Sequence, residues 1–274
     1  MVGRVFVILA LNSSVAVGAP IPSPSPEPLQ PVSKWDLDYA ETQCAAMRDY
    51  GDARNPITLG IIPSPAGDTY ELKIARKRTG SGLPQEFEGS IDFGAGPAKA
   101  WLVQYGSAVG KTVIDEFHIS GAEMQAARAA RNVTLKIGSS TDVVLELDSM
   151  PELMDGLQTC TADLRNFWNM DGEKNGRIVA GAKGDLRPAF SSDPYPSDAV
   201  NHEQEGDSQY LLLVDERGAI AACHVLKASG VPLLDAMGCA VMKQRTKLKP
   251  ALGPSGKPVR STLVTPPVSW KLAQ

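Results

Sequence analysis

The chain lacks the short signatures of several enzyme classes. Only three of its 274 residues are histidine and four are cysteine. No Cys-x-x-Cys occurs, which argues against redox and zinc motifs, and the Gly-x-Ser-x-Gly elbow of serine hydrolases is also missing. His118, His202 and His224 fall in different predicted elements. The sequence therefore predicts no catalytic residue, no metal site and no cofactor.

Positive charge is also scarce. The formal net charge is −4, the calculated pI is about 5.5, and no strongly basic block occurs. Nucleic-acid binders usually present a basic face, so nucleic acid is not an expected partner. The stretch GSAVGKT (106–112) is similar to a phosphate-binding loop, but only three residues separate Gly106 from Gly110 where the motif needs four. We expect a hairpin turn there.

The third absence is a long apolar run. The N-terminal stretch VFVILAL (5–11) is short, and Asn12, Ser13 and Ser14 interrupt it, whereas a spanning helix needs roughly 20 mostly apolar residues. Small residues follow, as in a signal-peptidase site. The sequence predicts a secretory signal peptide over 1–19. A short retained anchor is the alternative, and only then would the protein contact a membrane.

If the protein is exported, its four cysteines are expected to form disulfides. In an oxidising compartment they suggest two disulfides, and three pairings are possible. Local patterns and domain layout favour Cys44–Cys160 and Cys223–Cys239. A metal site or a catalytic thiol at Cys223 or Cys239 is the less favoured interpretation.

The chain divides into segments of different composition. Residues 20–33 are proline-rich and predict a stiff spacer that forms neither helix nor sheet ladder. Residues 34–170 predict a β-rich α+β domain of unknown family. Residues 171–189, rich in glycine and charge, predict a linker to a second domain over 190–274.

Hydrophobic periodicity predicts the elements of both domains. In the first domain the expected strands are 70–76, 90–93, 100–105, 113–119, 133–137 and 143–148, with helices over 121–131 and 149–169. In the second domain the expected order is a short helix over 195–203, strands 209–215 and 219–229, a helix over 230–246 and a last strand over 260–272, which Pro266 and Pro267 break.

The second domain resembles the C-terminal domain of TonB, the periplasmic energy transducer of Gram-negative bacteria. The resemblance rests on YPSDA (195–199), Gly206, LLLVDERGAIAACHVLKASGVPLLDAMGCAVM (211–242), LKPALGPSGKPV (248–259) and a final strand ending in VSWKL (268–272). It covers about 80 of the 274 residues and is moderately specific as a set. It implies a three-stranded antiparallel sheet with two helices on one face.

The resemblance implies a non-catalytic role in the periplasm. TonB adds an extended segment of an outer-membrane receptor to a sheet edge, where main-chain hydrogen bonds supply affinity. The corresponding edge strand is Val259, Arg260, Ser261, Thr262, Leu263 and Val264. Arg260 and Thr262 are expected to be exposed on it. The resemblance implies an envelope protein as the partner, such as the periplasmic segment of an outer-membrane receptor, and a link to TonB-dependent transport.

The chain also departs from the TonB pattern. Its spacer is short, Ser192 stands where a glutamine is expected, and the additional domain 34–170 lies where the TonB spacer would be. An alternative is therefore a secreted protein whose 34–170 domain binds a small ligand or is an enzyme, with the C-terminal domain as a docking module. Converging polar groups in a deep pocket would favour that alternative.

Overall fold

The computed structural model describes residues 26–77, 84–106, 111–138, 141–191 and 194–272. The predicted signal peptide and residues 20–25 of the proline-rich spacer lie outside these ranges. The first domain contains strands β1 (Asp36–Tyr39), β2 (Cys44–Tyr50), β3 (Ile57–Pro63), β4 (Thr69–Lys77), β5 (Gln85–Asp92), β6 (Ala98–Gly106), β7 (Thr112–Ser120), β8 (Asn132–Ile137) and β9 (Thr141–Glu146), with helices α1 (Gly121–Ala127) and α2 (Met150–Phe167).

The nine strands form one antiparallel sheet in the order β1-β2-β3-β4-β7-β6-β5-β8-β9. Strands β6 and β7 pair up to Gly106 and Val113, which agrees with the expected hairpin; residues 107–110 lie outside the described part. Alternate residues of β7 are buried, so one face of the sheet points into the core.

The end of the proline-rich segment connects β9, at one end of this sheet, to β2, next to the other end. The N–H of Leu29 donates to Val144 O at 2.8 Å, and Leu29 O accepts from Glu146 N–H in β9. Three residues on, the N–H of Val32 donates to Asp49 O in β2 at 2.9 Å. The prediction that residues 20–33 form no ladder is therefore wrong for Leu29–Val32, because Leu29 and Val32 keep the backbone N–H that the neighbouring prolines lack.

Helix α2 packs against β1 and β2 and completes the core of the first domain. Its buried stripe includes Leu153, Leu157 and Leu164, at the spacing the sequence predicts. Cys160, on the same stripe, is bonded to Cys44 in β2, which confirms the first predicted disulfide. The end of α2 is held by Trp168, whose indole N–H donates to Glu41 O.

The second domain contains α3 (Ser197–Asn201), β10 (Gly206–Val214), β11 (Ile220–Lys227), α4 (Pro232–Arg245), β12 (Ala251–Leu252), β13 (Pro258–Val259), β14 (Ser261–Val264) and β15 (Val268–Trp270). Strand β10 is central, with β11 on one side and β14 and β15 in succession on the other. The sheet thus has four strands instead of the expected three, since the last strand is divided at Thr265–Pro267.

The two faces of this second sheet are covered differently. Tyr210 and Leu212 of β10 pack with Val241 and Met242 of α4, and the Cys223–Cys239 disulfide joins β11 to α4, as predicted. On the opposite face, Leu211, Leu213 and Ala222 belong to the hydrophobic cluster of the first domain. The first domain and the second sheet therefore share a packed interface.

The segment predicted as a linker is built into the second domain. Ile178, Ala182 and Ala189 are buried in the α4-side core. The N–H of Val179 donates to Leu252 O, and Lys183 and Lys249 exchange two backbone hydrogen bonds. Residues 171–189 therefore connect the domains without being a free spacer, because their small apolar side chains fit against β12 and α4.

Candidate functional site

The predicted binding strand lies mainly in β14. Val259 ends β13, where it pairs with Ala251, and Arg260 separates β13 from β14. Ser261, Thr262, Leu263 and Val264 pair with Val214, Leu213, Leu212 and Leu211. Within the described residues β10 is the only strand with which β14 pairs, so its second edge has no strand partner.

The hydrogen-bond phase decides which backbone groups of β14 face outward. The N–H of Thr265 donates to Tyr210 O at 2.9 Å, and Thr265–Tyr210 continues the register of Leu263–Leu212. Antiparallel strands alternate between residues bonded to the neighbour and residues that point away. The N–H and C=O of Thr262 and Val264 therefore point away from β10. These are the groups that an added strand would use.

An apolar groove of about 750 Å³ runs beside this edge. Leu263, Val264 and Val268 form one side, and Leu186 and Phe190 line it from the 182–191 segment. Val264 is 51% exposed there. The groove offers apolar contacts to alternate side chains of an extended segment lying along β14.

The far end of the edge is closed by residues around Thr265. Its side-chain oxygen accepts from Tyr210 N–H at 3.1 Å, and its carbonyl accepts from the Gln209 side chain at 2.9 Å. Pro266 and Pro267 follow and have no backbone N–H to donate. Strand addition beyond Val264 therefore loses its donors.

The near end of the edge is covered by the first domain. The guanidinium of Arg260 lies 4.0 Å from the centre of the Phe167 ring and forms an ion pair of 3.2 Å with Glu216. The amide of Asn169 donates to Arg260 O at 2.9 Å. The prediction that Arg260 and Thr262 are exposed is wrong, since both are only half-exposed. The sequence could not place the end of α2 over this strand.

A second cluster, absent from the sequence prediction, lies between the domains. Glu71 and Lys73 of β4 face Glu116 and His118 of β7, because residues two apart in a strand share a face. Lys73 Nζ lies 2.9 Å from Glu71 and 3.1 Å from Glu116. His118 Nε2 lies 2.9 Å from Glu116 Oε1. Tyr105 Oη donates to Glu116 Oε2 at 2.7 Å.

Burial and pairing shift the pKa values in this cluster. Burial alone would raise the pKa of Glu116, but the His118 hydrogen bond and the Lys73 charge outweigh it and hold the pKa well below its usual range. Burial would lower the pKa of His118, yet Glu116 raises it overall. Lys73 likewise has a raised pKa, because Glu116 and Glu71 outweigh its desolvation.

Two groups of the second domain face the same cavity of about 230 Å³. His224 of β11 is 7% exposed, its Nε2 has no hydrogen-bond partner among the described residues, and burial lowers its pKa. Burial raises the pKa of Asp235, whose carboxylate accepts from Ser229 N–H. The converging polar groups that the small-ligand alternative requires are therefore present at the domain interface.

The sequence held a signal for this cluster. Glu-x-Lys at 71–73 and Glu-x-His at 116–118 each place two charges on one face of a strand. The local sequence does not predict that these two strands become neighbours or that the second domain covers them. Among the described residues, no group of three or more His, Cys, Asp or Glu side chains is placed so that it could hold a metal ion.

The geometry defines an α+β domain in whose sheet, as far as the structure describes the chain, the outer edge of Thr262–Val264 has no strand partner. Residues 192–272 match the family described as the Gram-negative bacterial TonB protein C-terminal. The second domain is thus a TonB C-terminal domain, as its resemblance implied, and the match indicates a protein of the Gram-negative envelope. Comparison of the chain with curated proteins and with solved structures gives no match.

The family is one of energy transduction and protein interaction and is not enzymatic. The match includes the second sheet and α4 but none of the nine-stranded domain. Across the described ranges, no helix has the length and hydrophobicity needed to cross a membrane.

Proposed function

We propose that this protein is a non-catalytic periplasmic member of the TonB family that binds an envelope partner by strand addition. The partner segment would lie along β14, in the groove between Leu263–Val264 and Leu186–Phe190. The outward backbone groups of Thr262 and Val264 carry this proposal. They offer two donors and two acceptors next to an apolar wall, which is the combination that β-augmentation uses.

The extended periplasmic segment of an outer-membrane receptor is the partner we favour. Such a segment would form about four main-chain hydrogen bonds, two at Thr262 and two at Val264. Because each hydrogen bond contributes only about 0.5–1.5 kcal/mol net, the groove must supply part of the affinity. We therefore expect weak, reversible binding. Coupling to TonB-dependent transport belongs to the proposal only if the N-terminal segment is retained as an anchor, which sequencing of the mature N-terminus decides.

Thr262→Pro tests the binding edge directly. Proline removes the outward N–H while the hydrogen bonds of Ser261 and Leu263 to β10 can remain. Titration calorimetry of the mature protein with peptides from receptor periplasmic segments should show binding to the wild type and at least a tenfold loss for Thr262→Pro.

Thr262→Ser is the matched control, because it keeps the backbone donor and a hydroxyl. It should bind like the wild type. Absence of heat with every receptor peptide, or equal affinity for the proline and serine variants, would show that β14 is not the binding edge.

A further inference from the structure

The C-terminal end of α2 contacts β14 at the residue that precedes its free edge. Phe167, Trp168 and Asn169 come from the first domain, outside the region that matches the TonB family. Arg260 lies 4.0 Å above the Phe167 ring and 5.9 Å from the Trp168 ring. The contact therefore joins a domain outside the family match to the strand that carries the proposed binding edge.

The hydrogen bond from Asn169 has a particular place in the strand pattern. Arg260, Thr262 and Val264 alternate with Ser261 and Leu263, which face β10. The Asn169 amide donates to Arg260 O at 2.9 Å. This carbonyl is the outward-facing acceptor just before Thr262, so a partner strand cannot use it. Asn169 acts there as a neighbouring strand would, and the available edge begins at Thr262.

The end of α2 is itself firmly held. Asn169 adopts a left-handed conformation, with φ of 49°, and its carbonyl accepts from Gly172 N–H at 2.8 Å. Asparagine tolerates this conformation better than most residues. The adjacent Trp168 is buried, and its indole N–H donates a hydrogen bond to Glu41 O. Earlier in the same helix, the disulfide of Cys160 joins α2 to β2. A rigid element thus presents the Asn169 amide and the Phe167 ring to Arg260.

We propose that Asn169 and Phe167 are positioning residues for the partner-binding edge. They hold Arg260, and with it the start of β14, in the extended conformation that a partner strand needs, and they set the first residue at which the partner pairs. The first domain thereby preorganises the edge, which lowers the ordering entropy lost on binding. This inference rests on the proposed strand-addition function and adds the first domain to it.

Asn169→Gly is the main test, made in the full mature chain. Glycine keeps the positive φ without strain and removes the donor. Glu203→Gly is the matched control, because Glu203 also has a positive φ, of 51°, in a different part of the molecule. Phe167→Leu is a second variant, which removes the ring face but keeps an apolar side chain.

Hydrogen exchange reports on the edge without any ligand. In Asn169→Gly and Phe167→Leu the peptide that spans Ser261–Val264 should exchange at least threefold faster than in the wild type, while the β10–β11 hairpin and the melting temperature stay unchanged. Affinity for the receptor peptide that binds the wild type best should fall about 2- to 10-fold, the range of one hydrogen bond. Glu203→Gly should change neither quantity.

The outcomes separate this inference from the proposed function. A wild type that binds no receptor peptide contradicts the proposed function, while the exchange measurement still decides whether Asn169 orders β14. Wild-type binding with unchanged exchange and affinity in both variants would overturn the positioning role alone. Exchange that rises equally throughout the chain would also overturn it, because it would show general destabilisation.

Discussion

At the scale of single residues, one glycine determines how closely α4 approaches the second sheet. Gly238 faces Tyr210, and a Cβ at this position would overlap the Tyr210 hydroxyl. Tyr210 is fully buried, and its hydroxyl is hydrogen-bonded to Ser208 at 2.7 Å, so it has little freedom to move. The missing side chain lets the helix rest directly on β10, the strand that also carries β14.

Gly238→Ala should therefore destabilise the protein. Alanine favours a helix over glycine by about 1 kcal/mol, but overpacking a core costs about 1–3 kcal/mol. We expect chemical denaturation to show a net loss of up to about 2 kcal/mol. Adding Tyr210→Phe should recover part of that loss, since it removes the overlapping oxygen; a stabilised Gly238→Ala variant would contradict the packing argument.

At the scale of elements, each domain uses one disulfide to fix a helix on its sheet. Cys44–Cys160 joins β2 to α2 across 116 residues, and Cys223–Cys239 joins β11 to α4 across 16. Each bond thereby secures the element behind the binding edge: α2 holds Arg260, and α4 supports β10. In the chain-entropy description the longer loop contributes more stability.

Removing the two bonds separately should show this difference. The Cys44→Ala/Cys160→Ala protein should lose about 4–5 kcal/mol of unfolding free energy, and Cys223→Ala/Cys239→Ala about 3 kcal/mol. Urea denaturation of the two double variants measures both values. The opposite order of losses would mean that native-state packing, and not loop length, dominates.

At the scale of the whole molecule, the interface between the domains contains titratable groups from both sides. His224 lies in β11 with Glu71, Lys73 and Lys243 among the charges that act on it, and burial lowers its pKa from the usual 6.5. A folded state that keeps His224 neutral is favoured above pH 6.5 and loses stability as the pH falls below that value, because the unfolded chain then binds the extra proton.

The pKa shifts of the neighbouring His118 and Glu116 affect stability in other pH ranges. The raised pKa of His118 affects stability above about pH 6.5, and the lowered pKa of Glu116 affects it below about pH 4.5. Between pH 6.5 and 5, His224→Phe should therefore lose less stability than the wild type, by up to about 1 kcal/mol. Thermal unfolding at several pH values tests this, with the exposed His202→Gln as control. Parallel curves for the wild type and His224→Phe would contradict a neutral buried His224.

Local periodicity predicted the elements with strong patterns. The helices expected over 149–169 and 230–246 are α2 and α4, and the six strands expected in the first domain are β4 to β9. Strands β1 to β3 were missed. β2 (CAAMRDY) is rich in residues with low strand propensity, and β3 (ITLGIIP) is mostly apolar and lacks the polar–apolar alternation of a strand. They are strands because of pairing in the folded sheet, where β1 pairs with β2, β2 with β3 and β3 with β4.

The candidate site was predictable only in part. The family pattern located Ser261–Val264, because turn residues and prolines fix its place after α4. The accessible length of that edge depends on Asn169, about 90 residues earlier, and on the hydrogen-bond phase with Tyr210. The charged cluster at Glu116 depends on the pairing of β4 with β7 and on its cover by β11.

The sequence by itself favoured the two cysteine pairs, predicted the main helices from hydrophobic periodicity and carried the motifs by which the second domain resembles the TonB C-terminal family. The tertiary structure alone decided that Leu29–Val32 connects β9 to β2, that the two domains share an interface, and that the end of α2 covers the strand edge before Thr262. These features arise from contacts between residues far apart in the chain, whose geometry no local pattern encodes.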